Sequence, residues 1–98
     1  MKKAYPALIK KNGNDYLVYV PDLNFMTEGR TLYKAIIMVR DLLGTVSMVQ
    51  NLPQPSSERY ARIITKQFAD GNDFKFSDGI LVYVDIDTDA YKRNKTVA

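Results

Sequence analysis

The chain has 98 residues, 46% of them hydrophobic and 26% charged, which fits one small folded domain and excludes the low-hydrophobicity, high-charge signature of disorder. It has no cysteine and no histidine, so disulfides, thiolate metal sites and imidazole bases are excluded, no cofactor is expected, and any catalysis would rest on carboxylates. The net charge is +3, and the last seven residues hold Lys92, Arg93 and Lys95 with no acid. The body ahead of that tail is therefore neutral, which argues against a nucleic-acid binder whose basic residues should cover a face of the fold. No apolar run of signal-peptide length follows Lys2-Lys3 and none approaches membrane-spanning length, so a soluble cytoplasmic protein without a membrane segment is predicted.

In chain order, Tyr5, Ala7 and Ile9 alternate, and Tyr16, Val18 and Val20 alternate again beyond Asn12-Gly13-Asn14. This is the pattern of a β-hairpin. Pro21-Asp22 ends the second strand, and a short third strand runs from Phe25 to Glu28 and closes at Gly29. Thr31 is placed to cap a helix in which Leu32, Ala35, Ile36, Val39, Leu42, Leu43 and Val46 recur at helical spacing over an arc of about 120°. Gly44 is a point at which this helix should end or bend. After the linker Leu52-Pro53-Gln54-Pro55-Ser56-Ser57, a second, shorter helix is predicted with Glu58 in its first turn and an apolar stripe of Tyr60, Ile63, Ile64 and Phe68. Asp70-Gly71 stops it, Ser77-Asp78-Gly79 forms another turn, and Ile80 to Asp87 is the most strand-like run of the chain.

This order, β-β-β-α-α-β, predicts an α+β fold with sheet order 3-2-1-4. Three strands form an antiparallel meander, the last strand returns parallel to the first through a helical crossover, and the helices cover one face. The plan is that of the N-terminal half of a ribonuclease H fold. Residues 1–87 form the single domain and 88–98 a basic linker or tail, with Lys92 to Ala98 poorly ordered or held only by a neighbouring chain.

Specific segments recur in order along the chain: Tyr5-Pro6-Ala7, Tyr19-Val20-Pro21-Asp22-Leu23, Thr27-Glu28-Gly29, Ala35-Ile36 with Met38, Arg40-Asp41-Leu42-Leu43-Gly44, the proline-serine linker, and Val82-Tyr83-Val84-Asp85-Ile86-Asp87 with Tyr91-Lys92-Arg93. Together they resemble the toxin-binding domain of HicB-like antitoxins from bacterial type II toxin–antitoxin systems. Their order and spacing run through nearly the whole chain. The resemblance implies a partial ribonuclease H-like fold, a homo-oligomer (dimer or tetramer), no enzymatic activity, and a HicA-type partner, a small basic RNA-cleaving toxin whose RNA-contacting surface the domain masks. Family members commonly continue into a DNA-binding segment that this chain, ending at Ala98, does not contain.

The interface candidates follow from charge and strand alternation. Asp22, Glu28, Asp41 and Asp85 supply acidity for a basic partner, which accelerates capture more than it deepens affinity. Tyr33, Ile37 and Asp41 follow at i, i+4 spacing opposite the apolar arc of the first helix, which marks either a partner contact or ordinary surface. Leu17, Tyr19, Leu81 and Tyr83 occupy the strand positions that alternate with the core. They form either an exposed apolar patch or a surface covered by a loop or the tail. Asp85 and Asp87 share a strand face as a metal nuclease would require, but further acids are not declared, and a carboxylate-dependent nuclease and a small lysine-dependent nucleic-acid binder remain the alternative functions.

Overall fold

A computed structural model describes residues 2–96. Strands β1 (Lys2–Asn12) and β2 (Asp15–Val20) form the expected antiparallel hairpin, paired from Leu8 opposite Tyr19 to Asn12 opposite Asp15. Gly13 opens the two-residue loop with φ +62°, a conformation glycine adopts without steric cost. Pro21 starts a 3-10 turn to Leu23, the left-handed Asn24 ends it, and β3 (Phe25–Gly29) returns antiparallel to β2. The Thr31 hydroxyl accepts the Lys34 amide at 3.0 Å and starts helix α1 (Leu32–Ser47).

The sheet order is β3-β2-β1-β4, as expected, but β4 (Ile80–Asp87) lies antiparallel to β1, from Lys2 opposite Asp87 to Ile9 opposite Ile80. The parallel return is thereby corrected. The reason is parity: α1 and a second helix, α2 (Glu58–Phe68), separate β3 from β4. Each helix reverses the chain, so β4 enters from the Ile9 end.

The helices also divide between the faces, against the expectation of one covered face. On one side Tyr5, Ala7, Ile9, Val18, Val20, Val84 and Ile86 pack under Ala35, Val39 and Leu43 of α1. On the other, Leu8 and Tyr19 pack with Phe76, bordered by Leu17, Leu81, Phe74 and Ala69 at the end of α2. The Phe74 and Phe76 rings meet edge to face at 4.9 Å. The apolar stripe predicted to bury α2 faces largely outward. Ala61 and Thr65 are its buried residues, and Tyr60, Ile63 and Phe68 are exposed. Thr65 is tolerated there because its hydroxyl donates to the Ala61 carbonyl at 2.7 Å.

The segment read as an aperiodic tail forms a third helix, α3 (Thr88–Thr96). Asp87 caps it by accepting the Ala90 amide at 3.1 Å. The expectation of disorder from Lys92 onward is corrected as far as Thr96, and Val97 and Ala98 lie outside the described residues. Nor does α1 end at Gly44. There a β-carbon would stand 2.4 Å from the Tyr91 ring, so the missing side chain is the seat for α3. Tyr91 is held further by donating to Asp41 Oδ1 at 2.8 Å and by the Thr45 hydroxyl at 3.1 Å.

Gly44→Ala should expel the Tyr91 ring and destabilise the protein. The same substitution in a Tyr91→Ala background should stabilise it by about 1 kcal/mol, the ordinary gain of alanine over glycine in a helix. Denaturant unfolding of the two single variants and the double variant measures this reversal of sign.

Candidate partner-binding site

The structure divides the ten candidate residues into distinct groups. Tyr19 is 1% exposed, lies 5.9 Å from the Phe76 ring and donates its hydroxyl to Asn24 Oδ1 at 2.5 Å. Burial pushes its phenol above the ordinary value. Leu17 and Leu81 are half-buried beside it. Of the two readings left open for this patch, coverage by a loop is the one observed for these three. Tyr83 remains 43% exposed and donates to the Ser56 carbonyl at 2.9 Å. Asp22 accepts both the Ser56 amide, at 3.0 Å, and the Ser56 hydroxyl, fastening the linker to the sheet. Glu28 is exposed on β3, apart from the other acids, in a shallow depression with Leu17, Met26 and Thr27.

Three of the remaining four converge, and the fourth, Tyr33, lies one helical turn before Ile37. Tyr33 (73% exposed) and Ile37 (37%) stand one turn apart on α1, and Ile37, Asp41 and Asp85 line an open groove with Asp87 and Tyr91. Two structural devices build its floor. Arg40 reaches from α1 across the end of β4, donating through Nε to the Asp85 carbonyl and through Nη2 to Asp85 Oδ1, each at 2.9 Å. The other is the junction of β4 with α3, capped by Asp87 and locked by Tyr91. The hydrogen bond and positive charge of Arg40 hold the Asp85 carboxyl below the ordinary carboxylate value, and the Ala90 amide does the same for Asp87.

Arg40 pairs with Asp85, and the groove presents acidic side chains beside apolar surface. Asp85 and Asp87 do share a strand, as the nuclease alternative requires, but one is clasped by Arg40 and the other caps a helix. Among the described residues no group of three or more acids is placed to hold a metal ion. None of the helices among them is long and apolar enough to cross a membrane. Arg40 and Tyr91 were not recognised as site residues because their roles depend on contacts 45 and 50 residues away. The spacing Ile37, Arg40, Asp41 on one helix flank was the available signal. Comparison with protein-family models, with curated proteins and with solved structures finds no match.

Because the folded-state value of Asp85 is depressed, its contribution to stability is fully present above the unfolded value of about 3.9 and is lost as pH falls through the lower folded value. An NMR titration of the Asp85 carboxyl should therefore give a midpoint below the ordinary range. In Arg40→Gln the midpoint should move back up.

Proposed function

We propose that this chain is the toxin-neutralising domain of a HicB-like antitoxin, acting by binding and not by catalysis. The observation that carries the reading is the convergence of Asp41, Asp85 and Asp87 with Ile37 in one groove, with the exposed Tyr33 one helical turn before Ile37. A basic RNA-binding toxin would set cationic side chains against the carboxylates and apolar side chains against Ile37 and Tyr33, and its RNA-contacting surface would be covered. Sequence motifs in family order along the chain support the same reading. Strand order supports the partial ribonuclease H relation, although the direction of β4 departs from it. A DNA-binding function belongs, on this proposal, to a segment outside this chain.

Co-expression of residues 1–98 with the basic toxin encoded beside it, followed by titration of the purified pair, tests the proposal. Rescue of growth and a measurable complex are expected. Tyr33→Ala should weaken the complex by about 2 kcal/mol, roughly thirtyfold, if it is a central anchor, whereas Asp41→Asn should mainly slow association. Tyr19→Ala serves as a folding control, since loss of that buried ring costs about 3–5 kcal/mol of stability. Persistent growth arrest with folded domain present and no complex would refute the reading. So would magnesium- or manganese-dependent RNA cleavage that Asp85→Asn abolishes without unfolding the protein.

A further inference from the structure

Three dipeptides of the chain place an asparagine or aspartate before glycine: Asn12-Gly13, Asp70-Gly71 and Asp78-Gly79. In such a pair the side-chain carbonyl carbon can reach the next backbone nitrogen, and glycine has no side chain to shield that nitrogen. The fold treats the three differently. The Gly71 amide donates to the Phe74 carbonyl at 2.9 Å, and both carboxylate oxygens of Asp70 accept from Ser77. The Gly79 amide donates to the Phe76 carbonyl at 2.9 Å, and a β-carbon on Gly79 would stand 2.6 Å from the Ile9 carbonyl oxygen. Both of these nitrogens are engaged. At the hairpin tip, by contrast, the closing pair of Asn12 and Asp15 uses the backbone groups of those two residues. Gly13 is left outside the ladder, and among the described residues it donates none of the turn and loop hydrogen bonds. Asn12, Gly13 and Asn14 are exposed, and nothing lies within 4 Å of where a β-carbon of Gly13 would be. As the last pair of its ladder, Asn12 and Asp15 open locally at little cost, which frees Asn12 to turn towards the Gly13 nitrogen.

We infer that Asn12 is a site of spontaneous covalent modification, closing on the Gly13 nitrogen and reopening with water to aspartyl and isoaspartyl forms. The Gly13 nitrogen loses its proton and attacks Asn12 Cγ. A bond forms between them, the Cγ–Nδ2 bond breaks, and Nδ2 leaves as ammonia with the proton returned to it. Water then opens the five-membered imide. Addition at Cγ restores the original backbone with an aspartyl side chain, and addition at the backbone carbonyl carbon routes the chain through Cγ as isoaspartate. Either product lowers the net charge by one unit from +3. The new carboxylate lies opposite Asp15, where like charges destabilise a strand pair. Lys10, two residues before it on the same strand face, is drawn towards the Lys75 carbonyl at 3.1 Å. The isoaspartyl form also lengthens the backbone by one methylene at the closing pair. The damage stays at the tip because no core side chain packs there. Asn12 stands at the opposite end of β1 from Lys2, which pairs with Asp87 beside the groove, so the inference does not depend on toxin binding.

Incubation of the full chain in mildly alkaline water labelled with heavy oxygen, followed by peptide mapping in a mass spectrometer, tests this. The label reports imide opening at all three dipeptides, and a parallel incubation in denaturant gives each its unprotected rate. Asn12 should convert in the folded chain, ahead of the other asparagines, to two separable products with one heavy oxygen each. Folding should slow labelling at Asp70 and Asp78 far more than at Asn12. Hydrogen exchange of the converted protein should quicken at the Asn12 and Asp15 amides, with the circular dichroism spectrum unchanged. Asn12→Ser should retain the fold and abolish the labelled products at that position. An Asn12 that converts in denaturant but stays intact in the folded chain overturns the inference. Equal protection of all three dipeptides by folding overturns it as well.

Discussion

Five consecutive residues of β1, Tyr5 to Ile9, are buried, and successive side chains of a strand point to opposite faces. The sheet must therefore be covered on both sides, and a chain of this length has few elements with which to do it. Helix α1 is long and takes the face of Tyr5, Ala7 and Ile9. The opposite face receives a short helix over which Phe74 and Phe76 complete the cover beside Leu8 and Tyr19. Pro6 is compatible with this inner strand for a related reason. The β1–β2 ladder begins only at Leu8, and the missing N–H of Pro6 falls on the side that β2 does not reach.

Covering both faces obliges the chain to cross the end of the sheet between α1 and α2, and this crossing explains the linker chemistry. Pro53 and Pro55 prevent the two helices from fusing and remove two amides that would need partners. The carbonyls and amides that remain are met by side chains from the sheet. Tyr5 donates to the Pro53 carbonyl at 2.5 Å, Tyr83 to the Ser56 carbonyl, and Asp22 receives the Ser56 amide and hydroxyl. Burial and the nearby Asp22 charge both keep Tyr5 protonated by raising its pKa. The residues that close the crossing thus include two of the interface candidates, Asp22 and Tyr83.

Local pattern made the strands, the first two helices and the sheet order legible, because alternation and helical spacing are properties of adjacent residues. Strand direction was less accessible, since alternation is the same read either way and only the number of reversals decides it. The run Ala4-Tyr5-Pro6-Ala7-Leu8-Ile9 did contain the sign of two-sided burial in its lack of polar residues. Its alternation of Tyr5, Ala7 and Ile9 concealed that sign. Helix α2 misled for a different reason. Close approach to the sheet favours the small Ala61 and the self-satisfied Thr65 over the bulkier stripe, which periodicity alone cannot distinguish. Helix α3 carries one principal apolar anchor, Tyr91, and a single anchor generates no period. The candidate groove was legible as residue types along α1 and β4, while the Arg40 clasp and the Tyr91 lock that shape it required the fold.

Arg40 illustrates how one side chain can divide an edge strand into two parts. By taking the outward carbonyl of Asp85 and its carboxylate together, it gives the lower part of β4 the charged protection that isolated edges need. The exposed ion pair adds little stability of its own, so its consequence is directional: backbone pairing is hindered near Asp85 and remains open near Ile80. The α3 junction lies beyond the protected part, where Asp87 caps the helix and Tyr91 fills the space that Gly44 leaves.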